Sequence, residues 1–273
     1  MNLVFELKDA DLQYLICLAD EAGKAIMEIY SKRDILQQIV KADQSPLTAA
    51  DLASNEVILN GLLSRWPHIP ILSEESKINF KPGEKPPVYW AVDPLDGTKE
   101  FIKGNDEFTV NIALVERGYP CVGVVSAPAK NLMYFGANGL VSSFNRKAEK
   151  RVAHKWEKIA VAGNIQNSLP KRPLRVAMSR SHPSEELAVW LSNFEKVESS
   201  VIGSSLKFCL VADGSVDVYP RFGPTCIWDT AAGHAIVVAA GGVVKDFSDN
   251  SLTYPEPFKV LNPFFLASGN EYI

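Results

Sequence analysis

Between Phe108 and Phe144 the chain lays down four short β-type runs in succession: Phe108–Val115, Pro120–Ser126, Leu132–Phe135 and Leu140–Phe144. Gly118, Gly136 and Gly139 punctuate them. Connections this short join only antiparallel neighbours, so the stretch reads as a meander. The rhythm then changes. Strands at Leu174–Met178, Lys196–Ile202 and Ser215–Tyr219 alternate with helices at Ser184–Phe194, Ser204–Asp213 and Asp229–Ala240. Gly241-Gly242 stops the last helix, and Phe264–Ala267 reads as a final strand. Such alternation is the pattern of an α/β layer. The chain is therefore expected to be mixed, an α+β half over 1–155 followed by an α/β half over 156–273. The charged stretch Lys147–Lys158 reads as the crossover between them.

Two helices precede the meander. Leu12, Leu15, Ile16, Ala19, Ala22, Ile26 and Ile29 recur at three- and four-residue steps and predict a helix over 9–30. After Ser45-Pro46, Thr48 offers an N-cap for a second helix carrying Leu52, Leu59, Leu62, Leu63 and Trp66, closed by Pro67. Ile69–Ser73 reads as a strand delivering Glu74 and Glu75, and Val88–Val92 as a strand delivering Asp93, with a polar loop between them. A chain of 273 residues, 47% hydrophobic and 22% charged, is neither disordered nor fibrous. With 28 basic and 32 acidic residues it carries −4, too acidic overall for a dedicated nucleic-acid binder. Glu6, Asp9 and Asp11 near the start do not look like a targeting peptide, and the apolar stretch around Ala235–Val244 is too short to span a bilayer. A cytoplasmic protein is expected. Cys17, Cys121, Cys209 and Cys226 form no C-x-x-C and read as reduced core residues.

The chemistry gathers where carboxylates end predicted strands. In Asp93-Pro94-Leu95-Asp96-Gly97-Thr98, Pro94 would fix a turn, Asp93 and Asp96 would face one point, and the Leu95 carbonyl would lie between them. Hard oxygen ligands on a rigid turn suit Mg²⁺. Gly97 allows close backbone approach, and the Gly97 and Thr98 amides would open a helix, a site for an anion. Asp-Pro and Asp-Gly also simply build turns. The pair Glu74-Glu75 after a neighbouring strand favours the metal, because two acidic clusters at adjacent strand ends repel without cations between them. Asp229, before an apolar helix, reads equally as a helix cap.

Four segments together resemble the inositol monophosphatase superfamily of Mg²⁺-dependent, lithium-sensitive phosphatases. They are Thr48-Ala49-Ala50-Asp51, Ser73-Glu74-Glu75-Ser76, Asp93-Pro94-Leu95-Asp96-Gly97-Thr98-Lys99-Glu100-Phe101 and Trp228-Asp229-Thr230-Ala231-Ala232-Gly233. Lys99-Glu100-Phe101 and Phe108-Thr109-Val110-Asn111-Ile112-Ala113-Leu114 resemble the branch acting on 3′(2′),5′-bisphosphate nucleotides. The resemblance implies an αβαβα layered sandwich with the site between its halves. It implies two or three Mg²⁺ on Glu74, Asp93, Asp96, Asp229 and the Leu95 carbonyl, with Glu75 a less certain ligand. Asp51 and Thr98 would orient and deprotonate the attacking water, and the Gly97 and Thr98 amides would hold the phosphate. His182, Ser204, Lys207 and Arg221 would hold the nucleotide.

Read from the residues alone, Ser204 and Lys207 sit one turn apart at a helix start and suit a second phosphate. They read equally as an N-cap with a solvated lysine, His182 in Ser-His-Pro as a turn residue, and Arg221 as a surface charge. The implied reaction removes the 3′-phosphate of adenosine 3′,5′-bisphosphate, or of its 5′-phosphosulfate analogue, as in sulfur assimilation and nucleotide recycling. The alternatives are an inositol-1-phosphatase with the same metal site and a non-catalytic nucleotide-binding protein. An aspartyl-phosphate enzyme is disfavoured, since its Asp-x-Asp is replaced here by Asp-x-x-Asp at 93 and 96. The partner is a small phosphorylated nucleotide rather than a nucleic-acid polymer. Monomer or homodimer, and free or peripheral at the inner membrane, are both left open.

Overall fold

The computed structural model describes residues 7–32, 46–76, 80–138, 147–162, 172–180 and 184–269. Among these, helices α1 (Asp9–Tyr30) and α2 (Pro46–Arg65) come first. A sheet of seven strands follows in sequential order: β1 (Ile71–Ser73), β2 (Val88–Asp96), β3 (Thr109–Glu116), β4 (Tyr119–Ala127), β5 (Leu132–Ala137), β6 (Lys147–Val152) and β7 (Lys155–Lys158). Only β1 and β2 are parallel; every later pair is antiparallel, as the meander requires. The short helix α3 (Thr98–Lys103) sits between β2 and β3. The second sheet holds β8 (Leu174–Ser179), β9 (Val197–Ile202), β10 (Val218–Arg221), β11 (Val243–Asp246) and β12 (Phe265–Ser268), in the order β11-β12-β10-β8-β9. Its helices are α4 (Glu185–Leu191), α5 (Leu206–Ala212) and α6 (Ile227–Ala239).

The layers follow from strand alternation. Trp90, Val92, Ile112, Leu114, Val122 and Val124 point to one face of the first sheet and meet Leu15, Ile26, Ile58 and Leu62 of α1 and α2. Tyr89, Ala91, Ala113, Val115 and Val125 point to the other face and meet Phe208, Ala231 and Ile236 of α5 and α6. Those two helices in turn cover Ala177, Tyr219, Phe265 and Ala267 of the second sheet. On its far side, Leu174, Val176 and Val218 pack against Trp190, Leu191 and Phe194. The order is helix, sheet, helix, sheet, helix, the expected αβαβα sandwich. Both faces of β2 and β3 are covered, which explains why they read as nearly continuous apolar runs.

Two contacts set the middle layer. Gly123 of β4 and Gly136 of β5 are cross-strand partners, and a Cβ on them would lie 2.2 Å from the Ala232 carbonyl oxygen and 2.6 Å from the Ile236 Cα. The missing side chains let α6 lie directly on the sheet. Phe208 of α5 stacks on Phe265 at 5.4 Å and meets Tyr219 edge-on at 5.2 Å. Truncating a buried phenylalanine of this kind costs about 3–5 kcal/mol, so Phe208 seats α5 and with it the neighbouring Lys207.

Several expectations change. Lys147–Lys158 is not a crossover but the β6–β7 hairpin that closes the first sheet. Gly136 lies inside β5 rather than between strands. The second helix starts at Pro46, so Thr48 is inside its first turn and not its N-cap. The strand β11 was not anticipated. Cys121 and Cys209 are buried, but Cys17 is exposed and Cys226 half-buried, because Cys17 sits on the outer side of α1 and Cys226 at the mouth of α6. The expected strand Leu140–Phe144 falls outside the described residues. No helix among the described residues is long and apolar enough to cross a membrane.

Candidate active site

The turn expected at Pro94 is a bulge. Asp93 pairs with Asn111 and Asp96 with Thr109, so three steps on β2 oppose two on β3. In an unbroken strand, residues three apart point to opposite faces; the extra residue brings Asp93 and Asp96 back to one side. The Ser54 hydroxyl of α2 donates to the Pro94 carbonyl at 2.7 Å, and the Leu95 amide donates to Oδ1 of Asp93 at 3.1 Å. Gly97 follows with φ 96°, a left-handed conformation that a side chain strains, and opens α3 with Thr98 as its first residue.

Three other elements deliver carboxylates to the same place. Glu74 follows β1, whose last residue, Ser73, donates to Asn55 of α2 at 2.7 Å. Asp51 lies one turn before Asn55 on that helix. Asp229 is the third residue of α6, not the start of the helix; its Oδ2 accepts the amide of the N-cap residue Cys226 at 2.6 Å. It caps the helix and also lies in the carboxylate cluster, so the two readings are compatible. Oxygen atoms of Glu74, Asp93 and Asp229 lie within 4.8 Å of one another. Asp96 is held by Ser205 and Asn111, at 2.7 and 3.3 Å from its Oδ2.

These groups are electrostatically uncomfortable alone. Burial, then the charges of Asp96, Glu74 and Asp229, pushes Asp93 well above the usual carboxylate range. Burial and then Asp96 raise Asp229 to about 7. Burial followed by Glu75 and Glu74 raises Asp51 to about 8, and Oδ1 of Asp51 is buried with no hydrogen-bond partner. Partial burial raises Glu74, against a hydrogen bond shared with Asp93. An all-oxygen donor set with this excess of negative charge fits a hard divalent cation and not a soft one.

The cluster opens into a pocket of about 300 Å³. Glu74, Asp93, Leu95, Asp96, Gly97, Thr98 and Asp229 are among its lining residues. So are Ser204, Lys207 and Arg221, and the expected nucleotide-side residues thus share one cavity with the expected metal ligands. Asp51 and Glu75 are not on the pocket wall. His182 falls outside the described residues.

The expected nucleotide-side residues differ in detail from expectation. Ser204 does not cap α5: it has φ 47°, and the N-cap is Ser205. Lys207 is buried rather than solvated, and its ammonium donates to the Ser204 carbonyl at 2.5 Å and lies 5.5 Å from the centre of the Tyr219 ring. Burial lowers Lys207 to about 8, against the pull of Asp96. Arg221, also buried, donates to the Pro224 carbonyl at 3.0 Å, while its Nε and the Ser204 hydroxyl are buried without partners. Donors of this kind suit an anionic ligand. Ser205, Asn111, Glu107 and Arg180 escaped the sequence reading. The Phe108–Leu114 motif was the one available signal for Asn111.

The inositol monophosphatase family model matches residues 8–270. The chain is 48% identical to the 3′(2′),5′-bisphosphate nucleotidase CysQ of Salmonella typhimurium over 254 residues, 93% of this chain and 98% of that one. It is also 48% identical to CysQ of Escherichia coli K12, over 92% of this chain and 96% of that one. Among solved structures, CysQ of Bacteroides thetaiotaomicron superposes with a TM-score of 0.80 at 37% identity, covering 98% of both chains. The inositol monophosphatase of Anabaena superposes at 0.70 with 26% identity, over 96% of this chain and 91% of that one. Sequence and fold thus agree over nearly the whole length, and the chain belongs to the inositol monophosphatase family.

Proposed function

We propose that this chain is a 3′(2′),5′-bisphosphate nucleotidase that hydrolyses the 3′-phosphate of adenosine 3′,5′-bisphosphate, and of its 5′-phosphosulfate analogue, releasing phosphate. Kinship with CysQ over nearly the full length supports the substrate class. The observation that carries the reading is the shared pocket, which brings the carboxylate cluster and the buried cations Lys207 and Arg221 to one cavity. A bisphosphate carries one anionic group for a metal on the carboxylates and a second for these cations.

Dependence on a divalent metal comes with the family, and the proposed ion is Mg²⁺, two or three per site. Glu74, Asp93, Asp96, Asp229 and the Leu95 carbonyl would hold it. When bound, the metal supplies Lewis-acid stabilisation of phosphoryl charge and acidifies water. Thr98, exposed at the start of α3, is proposed to orient the attacking water, with Asp51 taking up its proton. Gly97 and Thr98 offer amides to the scissile phosphate. Lys207, Arg221 and Ser204 bind the phosphate that does not react, and His182 belongs to the same proposed nucleotide-binding group. Water then attacks phosphorus in line, the bond to the 3′-oxygen breaks, that oxygen takes a proton from solvent water, and Asp51 later returns its proton to solvent. The proposed setting is the cytoplasm.

The test is phosphate release from adenosine 3′,5′-bisphosphate and from inositol 1-phosphate at equal concentration with Mg²⁺. Preference for the nucleotide is expected; preference for inositol 1-phosphate overturns the substrate assignment.

A further inference from the structure

Ser205 belongs to none of the roles above. Its hydroxyl oxygen lies 2.7 Å from Oδ2 of Asp96 and 2.8 Å from the main-chain carbonyl of Asp229. Nδ2 of Asn111 donates to that hydroxyl at 2.9 Å and to the same Asp96 oxygen at 3.3 Å. The Thr109 hydroxyl donates to Oδ1 of Asn111 at 3.0 Å, which fixes the direction of the amide. Thr109, Asn111 and Ser205 are all buried.

The donor count is restrictive. The Asn111 amide has two N–H bonds, one aimed at Ser205 and one at Asp96. The Ser205 hydroxyl has one proton, shared between Asp96 and the Asp229 carbonyl. Ser205 at the start of α5 and Asn111 of β3 thus converge on one oxygen of Asp96, with the Thr109 hydroxyl of β3 farther off at 3.5 Å. Asp229 itself comes from α6. Ser205 therefore sits where α5, α6 and the β2–β3 pair meet.

We infer that Ser205 and Asn111 are positioning residues that clamp Oδ2 of Asp96 and so present Oδ1 to a divalent cation, Ser205 also fixing Asp96 relative to Asp229. The clamp gives the Thr109-x-Asn111 pair of β3 its chemical task. Partners that orient a metal-binding carboxylate are worth about 10–100-fold in metal affinity. The inference rests on the metal-site reading above, and the experiment separates the two.

Mn²⁺ is titrated into the metal-free full chain, binding is followed by loss of the free-ion EPR signal, and Mg²⁺ is added as competitor. Ser205→Ala and Asn111→Ala, each folded in chelator by circular dichroism, should bind Mn²⁺ about 10–100-fold more weakly than the parent. Unchanged affinity in either folded variant overturns the clamp. If Ser205→Ala does not fold, Asn111→Ala decides from the other sheet. Ser205→Thr, which keeps the hydroxyl, should restore tighter binding than Ser205→Ala; a folded Ser205→Thr no better than Ser205→Ala also overturns it. A parent chain that binds no Mn²⁺ would instead sink the metal-site reading.

Discussion

Arg180 grips Glu107 with two parallel hydrogen bonds, Nε to Oε2 at 2.7 Å and Nη2 to Oε1 at 2.9 Å. The same Oε2 accepts the Gly203 amide at 2.8 Å, and Nη2 also donates to the Val201 carbonyl at 2.8 Å. The pair ties the loop after α3 to the end of β9, and Gly203 leads directly into the Ser204–Lys207 wall of the pocket. Glu107→Gln should therefore loosen substrate binding rather than chemistry. Arg180 is 39% exposed, so solvent screens the pair and the effect falls at the low end of charge-assisted hydrogen bonds, about 1.5 kcal/mol or roughly tenfold. Steady-state kinetics should show KM raised by about that factor with kcat nearly unchanged. A fall in kcat at constant KM would place the pair in the chemistry instead.

Asp93→Asn removes a charge from the most buried carboxylate of the cluster. Activity should fall to near background while circular dichroism stays that of the parent, and excess chelator should do the same to the parent chain. The measurement is phosphate release with and without Mg²⁺. A folded Asp93→Asn chain with parental rate would take Asp93 off the ligand set.

Much of this site was legible in the chain because its carboxylates end elements whose patterns are strong. Glu74 follows an apolar strand, Asp93 lies within one, and Asp229 lies in the first turn of the apolar helix α6. The clamp was not legible, because Ser205 and Asp96 are 109 positions apart and only the folded middle layer brings them together. The bulge was hidden for a different reason: Pro94 signals a departure from a regular strand but not which departure. The hairpin β6–β7 was misread because all four residues of β7 are exposed, so no apolar alternation marks it. Of the two readings of Lys207, solvated or ligand-bound, burial removes the first: its ammonium folds back on the Ser204 carbonyl beside the Tyr219 ring, a placement no local spacing signals.

Lys207→Met keeps the bulk of that side chain and removes the charge. A hydrogen bond to a charged group contributes about 1.5–3 kcal/mol. At about 1.4 kcal/mol per tenfold, kcat/KM for adenosine 3′,5′-bisphosphate should drop roughly 10–150-fold. A nucleotide carrying only the 3′-phosphate never gains the contact and should lose little. Equal losses on both substrates would move Lys207 from substrate recognition to support of the metal end.

His234 lies on α6, buried in the middle layer, with Nδ1 3.0 Å from the Tyr254 hydroxyl. Burial lowers its pKa from 6.5 to about 3. The folded chain therefore holds the ring neutral at pH values where the unfolded chain protonates it. The unfolded state binds the extra proton between about pH 6.5 and 3, so this contribution to stability is present above pH 6.5 and is lost as pH falls through that window. The raised carboxylates Asp51, Asp93 and Asp229 act in the opposite sense in the metal-free chain, because the folded state keeps their protons at pH values where the unfolded state has lost them, and they favour folding as pH falls. Between pH 6.5 and 5 the slope attributable to His234 approaches about 1.4 kcal/mol per pH unit. Urea unfolding in chelator at pH 7, 6 and 5 should give parent and His234→Gln slopes that differ by that amount, because the carboxylate contributions are common to both chains. His234→Gln keeps a polar group beside Tyr254 without a titrating proton, so it should lack the loss of stability that the histidine brings as pH falls. A slope unchanged by the substitution would assign the acid sensitivity to other groups and leave His234 a packing residue alone.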